Sequence, residues 1–217
     1  MADNFSALIF DLDGVIIDSE PLHAEAKRRT FQHYGIQMPE TIYAQAKGTT
    51  DFELFGRLAK EYLHDHVSAI EMIEYKDRVY SGIFPTVKPV PGALDFLLRA
   101  RARFSRMALT TSARRVNQQR AFDKFGLARW FDVVVTAEDI QRGKPDPDPY
   151  LKTLDKLGLP ASACLVIEDS TAGVRSGGAA GCAVAGITTS FSADELASAG
   201  AAFVVESFDA LAQRLSL

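Results

Sequence analysis

From residue 93 onward, short apolar segments alternate with helical ones, and most of the apolar segments stop at polar residues. Arg106 to Thr110, Phe131 to Thr136, Cys164 to Ile167, Cys182 to Ile187 and Phe203 to Val205 read as strands. Ala93 to Ala102, Ala113 to Phe125, Pro147 to Leu157, Gly173 to Ala180, Ser192 to Ala199 and Phe208 to Leu215 read as the helices around them. A strand buried on both faces is apolar along its length, and repeated β-α units of this size close a parallel sheet covered by helices on both sides. Ala7 to Phe10 has the same texture and belongs to the same sheet. The expectation is an α/β fold with a Rossmann-like parallel sheet core.

The stretch from Pro21 to about Phe84 is different and reads as helical throughout. Ala24, Phe31 and Tyr34 suggest one apolar face; Phe52, Phe55, Leu58, Ala59 and Tyr62 suggest a second; Ile70, Ile73, Val79 and Ile83 suggest a third. Three prolines and a glycine between Phe84 and Gly92 mark its end. We therefore expect a core made of residues 1–17 and 88–217, with a helical domain, 18–87, inserted after the first strand. At 217 residues with 47% hydrophobic and 24% charged side chains, the chain can bury a sizeable core. A net charge of -4 gives no support for nucleic-acid binding. No apolar run suits a bilayer, and the start Met1-Ala2-Asp3-Asn4 lacks a basic, apolar leader, so the expected compartment is the cytoplasm. Cys164 and Cys182 stand in small or apolar surroundings and read as two buried free thiols.

The chemistry gathers where strands end. Ala7 to Phe10 runs into Asp11-Leu12-Asp13-Gly14, two carboxylates one residue apart before a turn. Like charges this close need a cation, a proton or separate roles, unless the segment is a solvated acidic loop. The next strand ends in Thr110-Thr111-Ser112, hydroxyls that suit either phosphate oxygens or an ordinary helix cap. After Phe131 to Thr136 comes Gly143-Lys144-Pro145, a lysine with stiff flanks. Cys164 to Ile167 ends in Glu168-Asp169-Ser170, a second acidic pair. Carboxylates and backbone oxygens make a hard-cation site that suits Mg2+. Gly173, Gly177, Gly178 and Gly181 follow and permit tight packing; behind a strand that ends in acids they do not make a dinucleotide site.

Jointly, D-x-D-G, T-S, G-K-P and E-D-S, each after a strand and in that order, resemble the haloacid dehalogenase superfamily, in its branch with a helical cap inserted after the first motif. The resemblance covers essentially the whole chain. It implies that Asp11 is the nucleophile that attacks phosphorus and that Asp13 is the general acid and base. It implies that Thr111 holds the phosphoryl group with help from the Ser112 amide, and that Lys144 offsets its charge. Glu168 and Asp169, with Asp11 and the backbone carbonyl of Asp13, would complete a Mg2+ site. The dehalogenase branch lacks the second aspartate and the metal, so Asp13 argues for phosphoryl transfer. Asp18-Ser19-Glu20-Pro21-Leu22-His23 resembles the cap entry of sugar-phosphate phosphatases and β-phosphoglucomutase, which makes His23 a substrate-binding candidate. Lys47-Gly48-Thr49-Thr50 resembles the cap loop that reaches the active site, and Lys47 joins that set. Asp51 stands where the mutase carries an arginine for a second phosphate, and an acid there disfavours the mutase. The expected function is a monomeric phosphatase acting on a small phosphorylated metabolite. The alternatives are a phosphoglucomutase-like phosphotransferase and a phospho-Asp signalling or binding module without turnover.

Overall fold

The structure, a computed structural model, describes residues 5–37, 51–64 and 66–217. It divides into two compact units, Met1–Asp18 with Pro89–Leu217, and Ser19–Lys88.

The first unit is built on six strands: β1 (Ala7–Phe10), β2 (Arg106–Thr110), β3 (Val133–Val135), β4 (Cys164–Glu168), β5 (Ala183–Ile187) and β6 (Phe203–Val205). They form one sheet in the order β3-β2-β1-β4-β5-β6, with every neighbouring pair parallel. Two-residue strands, Ile17–Asp18 and Lys88–Pro89, flank the points where the chain passes from one unit to the other. The sheet order reverses direction at β1, between β2 and β4. In open parallel sheets, such a switch point at the strands' carboxyl ends is where ligands bind.

Strand periodicity sorts the core. Ala7, Ile9, Cys164, Val166 and Val184 share one buried cluster with Tyr150 and Leu154 of α6 (Asp148–Leu157) and Val174 of α7 (Thr171–Ala179). Phe10 points the other way, edge-on to Phe96 of α4 (Ala93–Arg103) at 6.1 Å and to Phe131 at 5.9 Å. Phe96 in turn meets Phe208 of α9 (Phe208–Leu215) at 5.0 Å. Side chains at alternate positions leave opposite faces, so Asp11 follows Ile9 and Glu168 follows Val166 onto the α6–α7 side. Cys164 and Cys182 are both buried free thiols.

Several boundaries differ from the sequence reading, each for a local reason. Helix α5 (Arg115–Phe125) begins at Arg115 rather than Ala113. The Ala113 amide is taken by the Thr111 hydroxyl at 3.0 Å, and the Arg115 amide by the Glu138 carboxylate at 2.9 Å. Strand β3 stops short of Thr136 because the Thr136 amide and hydroxyl both donate to the Asp139 carboxylate at 2.9 Å. The Asp132 carboxylate accepts from the Met107 amide at 2.9 Å and from both terminal nitrogens of Arg101 at 2.8 and 3.0 Å.

The second unit contains α1 (Glu20–His33), α2 (Asp51–Leu63) and α3 (Ala69–Ile83). Its core is Phe31, Ile36, Leu54, Phe55, Leu58, Ala59 and Met72. Only part of the expected apolar faces is buried: Ala24 is exposed, Phe52 is 63% exposed and Ile70 60%, whereas Lys76 is buried at 5%. Helix α8 (Ala193–Ser198) lies in the first unit. No helix among the described residues is long and apolar enough to cross a membrane.

The Arg101–Asp132 pair gives a pH test. Arg101 first, and the Met107 amide after opposing burial, hold the Asp132 carboxyl below the usual carboxylate range. A group lowered on folding stabilises above its unfolded pKa of about 3.9, and that stabilisation is lost as pH falls through the folded value. Asp132→Asn should lower the melting temperature at neutral pH, and the gap from the native protein should close below about pH 4. A gap that does not change with pH would show that the charge on Asp132 contributes nothing.

Candidate active site

The β1 register pairs Phe10 with Leu109 on one side and Ile167 on the other. The next row along the sheet edge is therefore Thr110, Asp11 and Glu168, and the Asp11 amide donates to the Ile167 carbonyl at 3.1 Å. Lys144 spans this row. Its Nζ donates to Asp11 Oδ1 at 2.7 Å, to Glu168 Oε1 at 2.6 Å and to the Thr110 carbonyl at 3.1 Å. The segment that carries Lys144 is tied down on both sides. Asp148 accepts from the Gln141 and Arg142 amides at 2.7 and 3.1 Å, and Ser176 Oγ donates to the Asp146 carbonyl at 2.5 Å. Lys144–Pro145 is a cis peptide bond.

Asp169 completes the cluster. Among the described residues, Asp11, Glu168 and Asp169 are a buried triad whose carboxylate oxygens lie within 4.8 Å of one another. Burial pushes Asp11 up to about 7; Lys144 opposes the rise, and Glu168 and Asp13 add to it. Burial also raises Asp169 well above the carboxylate range, helped by Glu168 and Asp11 and opposed by the Ser190 hydroxyl and Lys144. Burial decides the direction for both carboxyls, and the one ammonium that opposes it is itself held above the ordinary lysine value by Asp11 and Glu168 against its own cost of burial. The triad is short of positive charge, and its donors are all hard oxygens, the set that fits Mg2+.

The Asp13 carboxylate is outside that triad. Asp13 is half-buried in a tight turn: Gly14 donates to the Ile17 carbonyl at 2.7 Å, and the Ile16 and Ile17 amides donate to the Leu12 carbonyl at 2.8 and 3.0 Å. Gly14 sits at φ 74°, and a Cβ there would overlap the Asp169 carboxylate, so two constraints demand glycine. Thr189 Oγ1 donates to the Gly14 carbonyl at 2.6 Å. Thr111 and Ser112 stand one and two residues beyond the row; Thr111 is buried and Ser112 exposed. His23 belongs to the helical unit, where its ring stacks on Tyr80 at 4.3 Å. Lys47 lies outside the described residues.

Three contacts carry no signal in the sequence. Tyr150 Oη donates to Glu168 Oε1 at 2.6 Å, Ser170 Oγ to Glu168 Oε2 at 3.1 Å, and Thr189 holds the Gly14 turn. Ser170 stands in E-D-S, and Tyr150 is six residues past Lys144; only the fold shows which carboxylate each reaches.

Residues 8–187 match the family profile of haloacid dehalogenase-like hydrolases. The chain belongs to this family. Among the relatives of this haloacid dehalogenase-like hydrolase is a validoxylamine A 7'-phosphate phosphatase of Streptomyces hygroscopicus subsp. limoneus, 30% identical over 90% of this chain and 91% of the relative. A phosphorylated carbohydrates phosphatase of Thermotoga maritima is 32% identical over 81% of each chain. A fructose-1-phosphate phosphatase of Escherichia coli is 30% identical over 83% of this chain and 95% of the relative. Among solved structures, a HAD hydrolase of family IA, variant 3, from Entamoeba histolytica superposes with TM-score 0.85 at 26% identity over 98% of both chains. A β-phosphoglucomutase-like protein of Thermotoga maritima superposes with TM-score 0.79 at 29% identity over 98% of this chain and 97% of that one.

Close packing behind Glu168 is testable in this hydrolase. A Cβ at Gly173 would overlap the Glu168 carboxylate, whereas one at Gly178 meets nothing within 4 Å. Gly173→Ala should cost about 1–3 kcal/mol in urea unfolding, and Gly178→Ala, in the same helix, should be neutral or stabilising by up to about 1 kcal/mol. Equal effects would show that the approach at Gly173 is not tight.

Proposed function

We propose that the chain is a Mg2+-dependent phosphatase that hydrolyses a small phosphorylated metabolite, a sugar phosphate first among them, through an aspartyl-phosphate. The observation that carries this reading is the buried Asp11–Glu168–Asp169 triad bridged by Lys144. The names of three relatives, phosphatases of carbohydrate-type phosphates, support the substrate class. Asp11, Glu168, Asp169 and the Asp13 carbonyl would hold the ion. When bound, Mg2+ supplies positive charge that keeps Asp11 ionised and offsets charge on the transferring phosphoryl group.

The side chains divide the work. Asp11 Oδ attacks phosphorus and forms an acyl phosphate, while Asp13 gives its proton to the leaving oxygen. Asp13 then takes a proton from water, which attacks the acyl phosphate and releases inorganic phosphate. Lys144, fixed against Asp11, balances the equatorial oxygens, and the Thr111 hydroxyl with the Ser112 amide orients them. Substrate binding by His23 and Lys47 is part of the proposal on family resemblance alone.

The mutase reading stays open for a specific reason. Asp51 is not a bare anion. It pairs with Lys76 at 2.7 Å and Lys27 at 3.5 Å, and although burial raises its carboxyl, these lysines hold it below the usual range. Lys76 also faces Asp77 at 3.4 Å, so two carboxylates stand beside two ammonium groups, the cluster carries no net negative charge, and the charge argument against a phosphomutase falls.

An aryl phosphate with Mg2+ should be turned over, EDTA should stop the reaction and added Mg2+ restore it. Asp11→Asn should reduce the rate at least about 1000-fold. Hexose 1-phosphate with a trace of bisphosphate should yield inorganic phosphate. Hexose 6-phosphate as the product would establish the mutase, and full activity in Asp11→Asn would remove Asp11 as nucleophile.

A further inference from the structure

We propose that Tyr150 is a positioning residue for this site, one that fixes Glu168 for the cation without touching substrate. The inference rests on the metal-dependent reading above. Tyr150 is fully buried on the face of the sheet from which Glu168 projects, in the cluster with Val166 and Val174. A buried tyrosine hydroxyl needs a partner, and this one has chosen an oxygen of the site: Oη donates to Glu168 Oε1 at 2.6 Å. The same oxygen accepts the Lys144 ammonium at 2.6 Å, and that ammonium stands 5.2 Å from the centre of the Tyr150 ring. Tyr150 therefore meets both members of the Lys144–Glu168 pair.

The two oxygens of Glu168 are served differently. Oε2 accepts from Ser170 Oγ at 3.1 Å and from the Asp169 and Ser170 amides at 3.2 and 3.4 Å, all from its own strand end. Oε1 accepts from outside that segment, from Lys144 and Tyr150. A cation entering the triad competes with the Lys144 ammonium for Glu168. The Tyr150 hydroxyl is neutral and on a rigid ring, so it holds Oε1 without adding a competing charge. Glu168 is 0% exposed, so water does not replace a lost donor. Partners that orient a metal-binding side chain are typically worth about 10–100-fold in metal affinity.

The test is Mg2+ binding to the resting protein by titration calorimetry, with melting temperature and steady-state kinetics alongside. In Tyr150→Phe, the Mg2+ dissociation constant should rise about 10-fold or more, with KM for the aryl phosphate at saturating Mg2+ unchanged and the melting temperature within a few degrees of native. Tyr150→Leu removes the ring as well. It should melt lower than Tyr150→Phe yet lose Mg2+ affinity by the same factor, because affinity follows the hydroxyl and stability follows the ring. Unchanged affinity in Tyr150→Phe overturns the inference. So does failure of that variant to fold, or affinity that falls in step with melting temperature across the two variants, since Tyr150 is then only structural. If the native protein itself binds no Mg2+, the metal-dependent reading fails instead.

Discussion

One ammonium faces three buried carboxylates at the carboxyl edge of the sheet, and the surrounding structure is arranged around that imbalance. A carboxylate taken out of water is costly unless charge and hydrogen bonds meet it. Lys144 reaches Asp11, Glu168 and the Thr110 carbonyl because three adjacent parallel strands put those groups in one row. The bonds of Asp148 and Ser176 to the lysine segment keep the ammonium there. Gly14 and Gly173 leave room for the Asp169 and Glu168 carboxylates. The remaining deficit of positive charge keeps this edge from being a closed ion pair.

The strands of this sheet were legible because a doubly buried strand has a simple code: apolar until it reaches solvent, a ligand or a turn. Arg106–Thr110 and Phe203–Val205 match the reading residue for residue. Ends were less legible where the satisfying group came from elsewhere in the chain. Nothing near Arg115 shows that Glu138 takes its amide. The helical unit was harder still. Lys76 is buried through its pair with Asp51, so a charged residue occupies the inward face and displaces the apolar pattern around it. Phe52 and Ile70, which the pattern placed inside, are exposed.

The acidic, hydroxyl and lysine motifs stood out because each interrupts or follows an apolar run. The contacts behind them did not. A tyrosine in a helix reads as core, and Tyr150 is core; that its hydroxyl ends on Glu168 depends on how α6 crosses the sheet. The same holds for Asp51, whose sign was plain in the sequence but whose effective charge depends on two lysines brought in by neighbouring helices.

The position of β1 has a consequence for how the chain matures. Of the six strands of the sheet it comes first in the chain, and it lies inside the sheet, between β2 and β4. Its partners begin at Arg106 and Cys164, so Ala7–Phe10, an unbroken apolar run, leaves the ribosome long before either edge of it can be paired. Pairings this distant in sequence form slowly, and unpaired apolar strands invite association with other chains. The helical unit, by contrast, is made of consecutive residues and can gather its own core while β1 waits. The period of greatest vulnerability to aggregation therefore falls in synthesis, between the emergence of β1 and that of β4.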